Sequence, residues 1–241
     1  MFLNRLRKTS ESTVNSFNEL LKRAEILLEE KNVEGLKDLI KLVLRPIQSA
    51  HLLEPYLSAE HSANGQLSPW RDWGIEGTLH VVINEQVIND KDFIAWCCSD
   101  MCMIDNQELF PRLQLSIDIV LPTPWHPSRL ISNIGSIGPG RPCGIFQQDP
   151  NHVILYHYPL MIGWVAGGNH SIVQGILQGG SVVPDEVYDI SPIINAVTFD
   201  GVQWVCSHSG NPMGTPRYPE FGWCWEIAKR ITLLESSPYS K

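Results

Sequence analysis

The chain has 241 residues, of which 43% are hydrophobic and 18% charged, a composition typical of a globular protein with a buried core. Its formal net charge of −8 argues against a protein that coats nucleic acid through bulk positive charge, although a local basic site stays open. No apolar run approaches the roughly 18 residues of a membrane helix, and a Glu-rich stretch follows the basic N-terminus in place of an apolar signal core. We therefore expect a cytoplasmic protein that does not enter a membrane.

The N-terminal region, residues 9–56, has helical periodicity. Apolar side chains recur at steps of three and four in two runs, which predict two amphipathic helices joined at residues 30–32 as an antiparallel hairpin. Pro46 is expected to end the second helix. Each helix has an apolar stripe that needs cover, and two alternatives follow: the stripes pack on the rest of the protein, or they bind a protein partner.

The rest of the chain alternates between strand and helix patterns, after a polar segment at 58–68 that predicts a loop. Residues 112–121 alternate apolar and polar side chains and predict one half-buried strand. Asp200-Gly201 predicts a two-residue hairpin turn. The other predicted strands span 78–83, 153–157, 161–166, 182–188, 197–199 and 202–205. One helix is predicted to begin at Asp90, and three more are predicted at 127–134, 172–178 and 225–234. This order predicts an α+β or a mixed α/β fold, of which we expect α+β.

Three of the six cysteines, Cys97, Cys98 and Cys102, lie close together in the sequence. They could bind a metal, but they contain no C-x-x-C pair and no second pair matches them. A run of apolar residues surrounds the first two, and free cysteine behaves as a small apolar side chain in such a helix. We expect structural cysteines and no metal site.

The segment Gly167-Gly168-Asn169-His170-Ser171 follows a predicted apolar strand and opens a helix. The first turn of a helix has unpaired N–H groups and the positive end of the helix dipole, and glycines before it let an anion approach the backbone. Asn169 and Ser171 can cap the helix or contact the anion, and His170 can contact phosphate or serve as an acid or base. A purely structural turn, with Asn169 as the cap, is the alternative.

The order of features around this turn is more specific than the turn itself. An apolar strand, a glycine loop containing His170, a helix of small and apolar residues, a glycine and Val183-Pro184 before the next strand follow one another. Upstream, a proline-containing segment with Arg129 follows a strand and precedes a helix. Over about residues 113–190 the chain resembles the ParB/sulfiredoxin-like nucleotide-binding fold.

The resemblance implies a mixed-sheet domain, residues 58–241, with the ParB/sulfiredoxin-like core inside it, after the N-terminal helical region, residues 1–57, whose hairpin the periodicity predicts. It also implies a phosphate or nucleotide ligand, ATP or CTP, with Mg²⁺ as a companion ion. His170 would be the catalytic residue of an active member. The implied ligand-binding residues are Gly167, Gly168, Asn169, His170, Ser171 and Arg129.

One position departs from the family pattern: Ser171 replaces the arginine that usually follows the histidine. An arginine holds a terminal phosphate through its planar fork, so its loss favours binding over catalysis unless Arg129 or Arg141 substitutes. Three hypotheses follow. The chain is a nucleotide- or phosphate-binding protein, for example a regulator in a bacterial or phage system; a nucleotide-dependent phosphoryl-transfer enzyme or nuclease; or an interaction protein that binds a partner through its N-terminal helices.

Overall fold

Two long helices form the N-terminal region, α1 (Ser10–Glu29) and α2 (Val33–Leu57). They belong to a computed structural model that describes residues 10–57, 65–77, 81–83, 86–88 and 92–239. The C-terminal helix α7 (Pro219–Leu234) packs against both of them. Their apolar stripes are therefore covered within the chain. The buried residues of these stripes include Phe17, Ala24, Leu36, Ile40, Leu44 and Ile47.

Helix α2 does not end at Pro46, as the sequence predicted, but continues to Leu57. A proline inside a helix removes one hydrogen bond and costs about 3 kcal/mol. The burial of Ile47 offsets that cost, together with the hydrogen bonds of the buried Gln48 and His51 to the Val120 carbonyl and the Tyr218 hydroxyl. These side chains reach the protein interior only if the helix continues. The expectation failed because tertiary packing overrode a local helix breaker.

Short elements lead from the helices to the central sheet. They are α3 (Pro69–Asp72), the hairpin β1 (Val81–Ile83) and β2 (Gln86–Ile88), and α4 (Phe93–Cys97). The predicted helix start at Asp90, residues 78–80 of the predicted strand and residues 58–64 of the predicted loop lie outside the described residues.

A four-stranded mixed sheet forms the centre of the fold. Its strands are β4 (Ile119–Leu121), β6 (Ile162–Val165), β5 (Ile154–Tyr158) and β8 (Glu186–Asp189), in that spatial order. The pairs β4–β6 and β5–β8 are parallel, and β5–β6 is antiparallel. Helices α5 (Pro127–Asn133) and α6 (Asn169–Gln178) follow β4 and β6. This combination of helices and a mixed sheet is an α+β architecture.

Two of the predicted strands are each split in the structure. Residues 112–121 form β3 (Leu113–Gln114) and β4, because a turn at 115–118 intervenes, in which the Asp118 carboxylate accepts from the Gln114 N–H at 2.7 Å. Ile117, which the alternation placed on the buried face, is 55% exposed at this turn. Residues 182–188 likewise form β7 (Ser181–Val182) and β8, and β7 pairs with β3 away from the central sheet.

The second half of the chain ends in a hairpin and α7. Strands β9 (Val197–Phe199) and β10 (Trp204–Cys206) pair from Phe199 to Trp204, so their loop has four residues and not the predicted two. The Asp200 carboxylate shapes this loop by accepting from the N–H groups of Val202 and Gln203. Helix α7 begins at Pro219, six residues before the predicted start, since proline suits the first turn of a helix.

Alternate residues of the central strands point to two hydrophobic clusters. Ile119, Leu121, Ile162 and Trp164 face the larger cluster, which α1, α2 and α7 complete. On the opposite face, strand residues such as Val120 pack with Ile172 of α6. No described helix has both the length and the apolarity to cross a membrane.

Candidate functional site

The candidate site lies where β4 and β6 end, side by side and in the same direction. The chain leaves β4 through a proline-containing segment that precedes α5, and it leaves β6 through the glycine turn that precedes α6. In open sheets of this kind, ligands bind beyond the carboxyl ends of parallel strands. The fold therefore brings two of the sequence-predicted segments together at one sheet edge.

Both glycines of the turn are closely approached by the chain that precedes β5. Gly168 has φ = 73°, a left-handed conformation that favours glycine, and a Cβ there would lie 2.5 Å from His152 Cδ2. A Cβ on Gly167 would lie 2.5 Å from the Asn151 carbonyl oxygen. The missing side chains thus make room for residues 151–152, a structural reason for the glycines that the sequence pattern did not show.

Asn169 is the first residue of α6 and does not cap the helix. The N-cap is Gly168, and no side chain caps the helix, which begins three residues before the predicted start. The Asn169 Oδ1 atom instead accepts from the Thr123 N–H at 2.6 Å, which ties the start of α6 to the segment after β4. The N–H groups of the first helical turn lack intrahelical partners, as at every helix start.

His170 lies half-buried beside the segment that follows β4. Its Nε2 atom accepts from the His126 N–H at 3.3 Å, an arrangement that assigns the ring proton to Nδ1. Burial lowers the pKa of His170, and the charges of Arg129 and His126 lower it further. The ring is therefore neutral at pH 7, with Nδ1–H as its donor.

Ser171 is turned to the other side of the helix start. Its Oγ atom is 2.6 Å from His152 Nε2 and 3.1 Å from the Gly168 carbonyl oxygen. These partners lie behind the turn, whereas Asn169 and His170 contact the segment after β4. The five predicted residues of the turn therefore have three different surroundings. Asn169 and His170 face the segment after β4, Ser171 faces His152, and the two glycines pack on residues 151–152.

A cleft of about 190 Å³ opens beside Asn169. Of its six lining residues, only Asn169 was predicted as a site residue. Two of the others make hydrogen bonds at the cleft: Gln66 Nε2 donates to the Val165 carbonyl, and Thr123 Oγ1 accepts from the Leu67 N–H. Thr123 and Trp125 could have been predicted from the sequence, because they directly follow a strand that ends beside β6. Nothing in the sequence indicated Gly65 and Gln66, because they come from a distant loop. The cleft is lined by Gly65, Gln66, Thr123, Trp125, Ala166 and Asn169.

The predicted basic residues have different surroundings. Arg129 is exposed on α5, and its charge acts on His170. Arg141 donates to the Ile137 carbonyl at 3.2 Å, within its own loop. Arg71 was not predicted as an anion ligand, yet its guanidinium lies against Gly65 at the cleft. Arg129 and Arg71 are thus the cations that the fold brings nearest to the candidate site among these three.

The cysteine cluster lies elsewhere, against β5. Cys97 and Cys102 are buried, and the Cys98 Sγ atom is 3.6 Å from Nε2 of the buried His157. Burial raises the pKa of Cys98 to about 12 and lowers the pKa of His157 to about 3, so both groups are neutral at pH 7. In the described part of the chain, no three His, Cys, Asp or Glu side chains are grouped to hold a metal ion.

Comparison with known proteins identifies the family of this chain. No curated protein and no solved structure shows a significant match to the chain. One family model, described as a family of unknown function (DUF6710), matches residues 3–237. Because this match covers nearly the whole sequence, the chain belongs to the DUF6710 family.

Proposed function

We propose that the protein binds a phosphate-bearing ligand, a nucleotide such as ATP or CTP, in the cleft beside α6. One observation carries the proposal: the wall of the cleft includes Ala166, which precedes the glycine turn, and Asn169, the first residue of the ten-residue helix α6, at the positive end of its dipole. Asn169 is fixed there by its hydrogen bond from Thr123. A phosphate in the cleft would lie beside first-turn N–H groups that the helix itself leaves unpaired.

The size of the cleft supports a phosphate group inside it and a base outside it. Pockets that enclose a whole drug-sized ligand have volumes of roughly 300–1,000 Å³. The cleft has about 190 Å³, too little for a complete nucleotide. Trp125 lines its rim with a side chain that is 49% exposed, and a nucleobase can stack on such a ring.

The charges near the cleft also favour an anion. Arg129 is exposed beside His170, and Arg71 lies against Gly65. His170 would donate to a phosphate oxygen through Nδ1–H as a neutral ring, because its pKa is lowered and its Nε2 is occupied. This local cationic environment contrasts with the net charge of −8.

The order of elements supports the ParB/sulfiredoxin-like core that we propose for about residues 113–190. A strand, a proline-containing segment, helix α5 with Arg129, two strands, the glycine turn, helix α6 and two short strands follow one another, close to the order that the resemblance implies. The separation of this core-containing domain from residues 1–57 stays a prediction.

Binding without turnover is better supported than catalysis. Ser171 replaces the expected arginine and faces His152, and the Nε2 of His170, which a general base needs free, already accepts from His126. The described lining of the cleft offers no carboxylate for Mg²⁺, so we assign no residue to that ion, which a nucleotide would bring with it. The apolar stripes of α1 and α2 are covered by α7, which gives no support to a partner-binding role.

A panel of nucleotides tests the proposal by thermal shift, with ATP, CTP, their diphosphates and inorganic phosphate, each with and without Mg²⁺. A ligand at 100 times its Kd stabilises the folded state by about 2.7 kcal/mol and raises the melting temperature by several degrees. We expect at least one nucleotide to do so, and His170→Ala to remove the shift while the exposed His208→Ala preserves it. Product formation on long incubation would favour the enzyme hypothesis, and no shift with any nucleotide would refute binding.

A further inference from the structure

Behind the glycine turn, away from the cleft, a serine, a histidine and an aspartate lie in line. Ser171 Oγ is 2.6 Å from His152 Nε2, and His152 Nδ1 is 3.2 Å from Asp149 Oδ1. These are the residue types of a hydrolytic triad, in which the histidine accepts the serine proton and the carboxylate holds the opposite N–H. What the three residues can do depends on where the protons lie.

The backbone decides the position of the histidine proton. Two backbone groups of Asp149 face His152 Nδ1, the N–H at 2.9 Å and the carbonyl oxygen at 3.2 Å. A protonated Nδ1 could not accept the closer N–H, so we assign Nδ1 as the acceptor without a proton. The proton is therefore on Nε2, which donates to Ser171 Oγ, and the Ser171 hydroxyl donates to the Gly168 carbonyl at 3.1 Å. With Nε2 protonated, His152 cannot take the proton of Ser171, so the chain of bonds runs in the direction opposite to a hydrolytic triad.

The packing around His152 holds this arrangement in place. The side chain is only 3% exposed, and the Phe146 ring lies edge-on to it with 5.0 Å between the centroids. Gly168 lies so close to His152 that a Cβ there would clash with the ring. The chain of bonds ends on the Gly168 carbonyl, which also accepts the first hydrogen bond of α6, from the Ile172 N–H.

We propose that His152 is a positioning residue that fixes the glycine turn through Ser171 and so sets the first N–H groups of α6 in the orientation that receives phosphate. The inference rests on the proposed function of the cleft on the opposite side of the turn. It assigns Ser171 to the support of the site and to neither phosphate contact nor nucleophilic attack. It also explains how a serine can replace the arginine of the resembled family without disturbing the turn.

Two substitutions remove the same hydrogen bond from either end. Ser171→Ala deletes the hydroxyl, and His152→Asn keeps an acceptor for the Asp149 N–H but loses the donor to Ser171. Each is expected to weaken the Kd for the nucleotide that stabilises the wild type by about fivefold, the effect of one net hydrogen bond. Ser171→Ala also removes the bond to the Gly168 carbonyl, so the double variant should be no weaker than Ser171→Ala alone. Ser132→Ala is the matched control, because this exposed serine donates only to the Arg129 carbonyl of its own helix.

Hydrogen exchange on the ligand-free protein gives a second readout that needs no ligand. Amide protection at Ile172, whose N–H donates to the Gly168 carbonyl, should fall in Ser171→Ala and His152→Asn but not in Ser132→Ala. A fluorophosphonate probe, which modifies activated serines, should leave Ser171 unlabelled in the wild type. Normal protection, or unchanged Kd in both variants, or probe labelling of Ser171 would each overturn the positioning role. Failure of the wild type to bind any nucleotide would overturn the proposed function instead, and the exchange measurement would still show whether the turn is held by His152.

Discussion

Two regions of the molecule are stabilised by different means. One is the face of the central sheet covered by α1, α2 and α7, here called the helical face, and the other is the edge where α6 begins. On the helical face, Trp73 and Trp225 pack edge-on with 5.6 Å between their rings, and Trp204 packs on Trp225 at 5.4 Å. At the edge, Asn169, His170 and Ser171 make polar contacts, and the nearby Trp125 is half exposed. The helical face is stabilised by buried apolar side chains, and the edge is organised by oriented polar groups. This difference is the one expected between a scaffold and a binding site.

The largest predicted effect is on the helical face. Trp225 is fully buried and donates through Nε1 to the Ile194 carbonyl, so Trp225→Ala should lower the free energy of unfolding by about 3–5 kcal/mol. The milder Trp225→Phe keeps most of the packing and gives a folded reference. Trp125→Ala is the matched control at the edge and should cost less than about 1 kcal/mol in urea denaturation. Equal losses of unfolding free energy in Trp225→Ala and Trp125→Ala would contradict this difference between the two regions.

A second prediction uses pH on the same helical face. His51 of α2 lies 3.0 Å from the Tyr218 hydroxyl, and burial, reinforced by the charges of Arg217 and Arg71, lowers its pKa to about 4. Below its ordinary value of about 6.5 the unfolded chain binds a proton that the folded chain does not. The contribution of His51 is therefore complete above pH 6.5 and is lost as the pH falls towards 4, a change of up to about 3 kcal/mol.

Urea denaturation between pH 7 and pH 4 measures this slope. The pKa of His157 is lowered to about 3, so this residue also makes the free energy of unfolding fall as the pH falls. The test is therefore the difference between the wild-type and His51→Gln curves. His51→Gln should flatten the curve, while the exposed His208→Gln serves as the control. Parallel curves for the wild type and His51→Gln would show that His51 is accessible to protons in the folded protein.

The helical face was also the region that the sequence predicted best. The apolar periodicity of α1 and α2 is a strong signal because many residues repeat it, and both helices formed where it placed them. One error was a local rule overridden by packing, because Pro46 lies inside α2. The other was a local rule that the prediction did not apply, because α7 begins at Pro219, six residues before the predicted start. Long periodic elements outweigh a single breaker, since burial of several side chains exceeds the cost of one lost hydrogen bond.

The edge was predicted only in part, because its contacts join residues far apart in the chain. The sequence located the turn between a strand and a helix, but it gave no means to see that Asn169 bonds to Thr123 or that Ser171 bonds to His152. Nor could it show that both glycines make room for residues 151–152. The alternation over 112–121 failed for a related reason: the turn at Asp118 uses a side chain–backbone bond that periodicity does not record.

At the edge, Trp125 is the residue expected to affect binding most. If a base stacks on its exposed ring, Trp125→Ala should weaken nucleotide affinity by about 1–3 kcal/mol, or roughly 5- to 150-fold, with little change in stability. Inorganic phosphate has no base and should bind the variant and the wild type equally. Trp70→Ala is a matched control, because this tryptophan is 55% exposed and is not among the residues that line the cleft. A loss of phosphate binding equal to the loss of nucleotide binding would place the base away from Trp125.

The smallest effect is expected at Arg129, which is exposed and screened by solvent. Arg129→Gln should weaken the affinity for a nucleotide triphosphate by about two- to fivefold at low salt, and less at high salt, because exposed charges act weakly and over about 10 Å. It should also raise the pKa of His170, since Arg129 is one of the charges that lower it, and an NMR titration of the ring would record the change. Arg23→Gln on α1, where the arginine pairs with Glu19, is the control for net charge. An equal loss of affinity in both variants would mean that the ligand responds to the total charge of the protein and not to a cation placed at the edge.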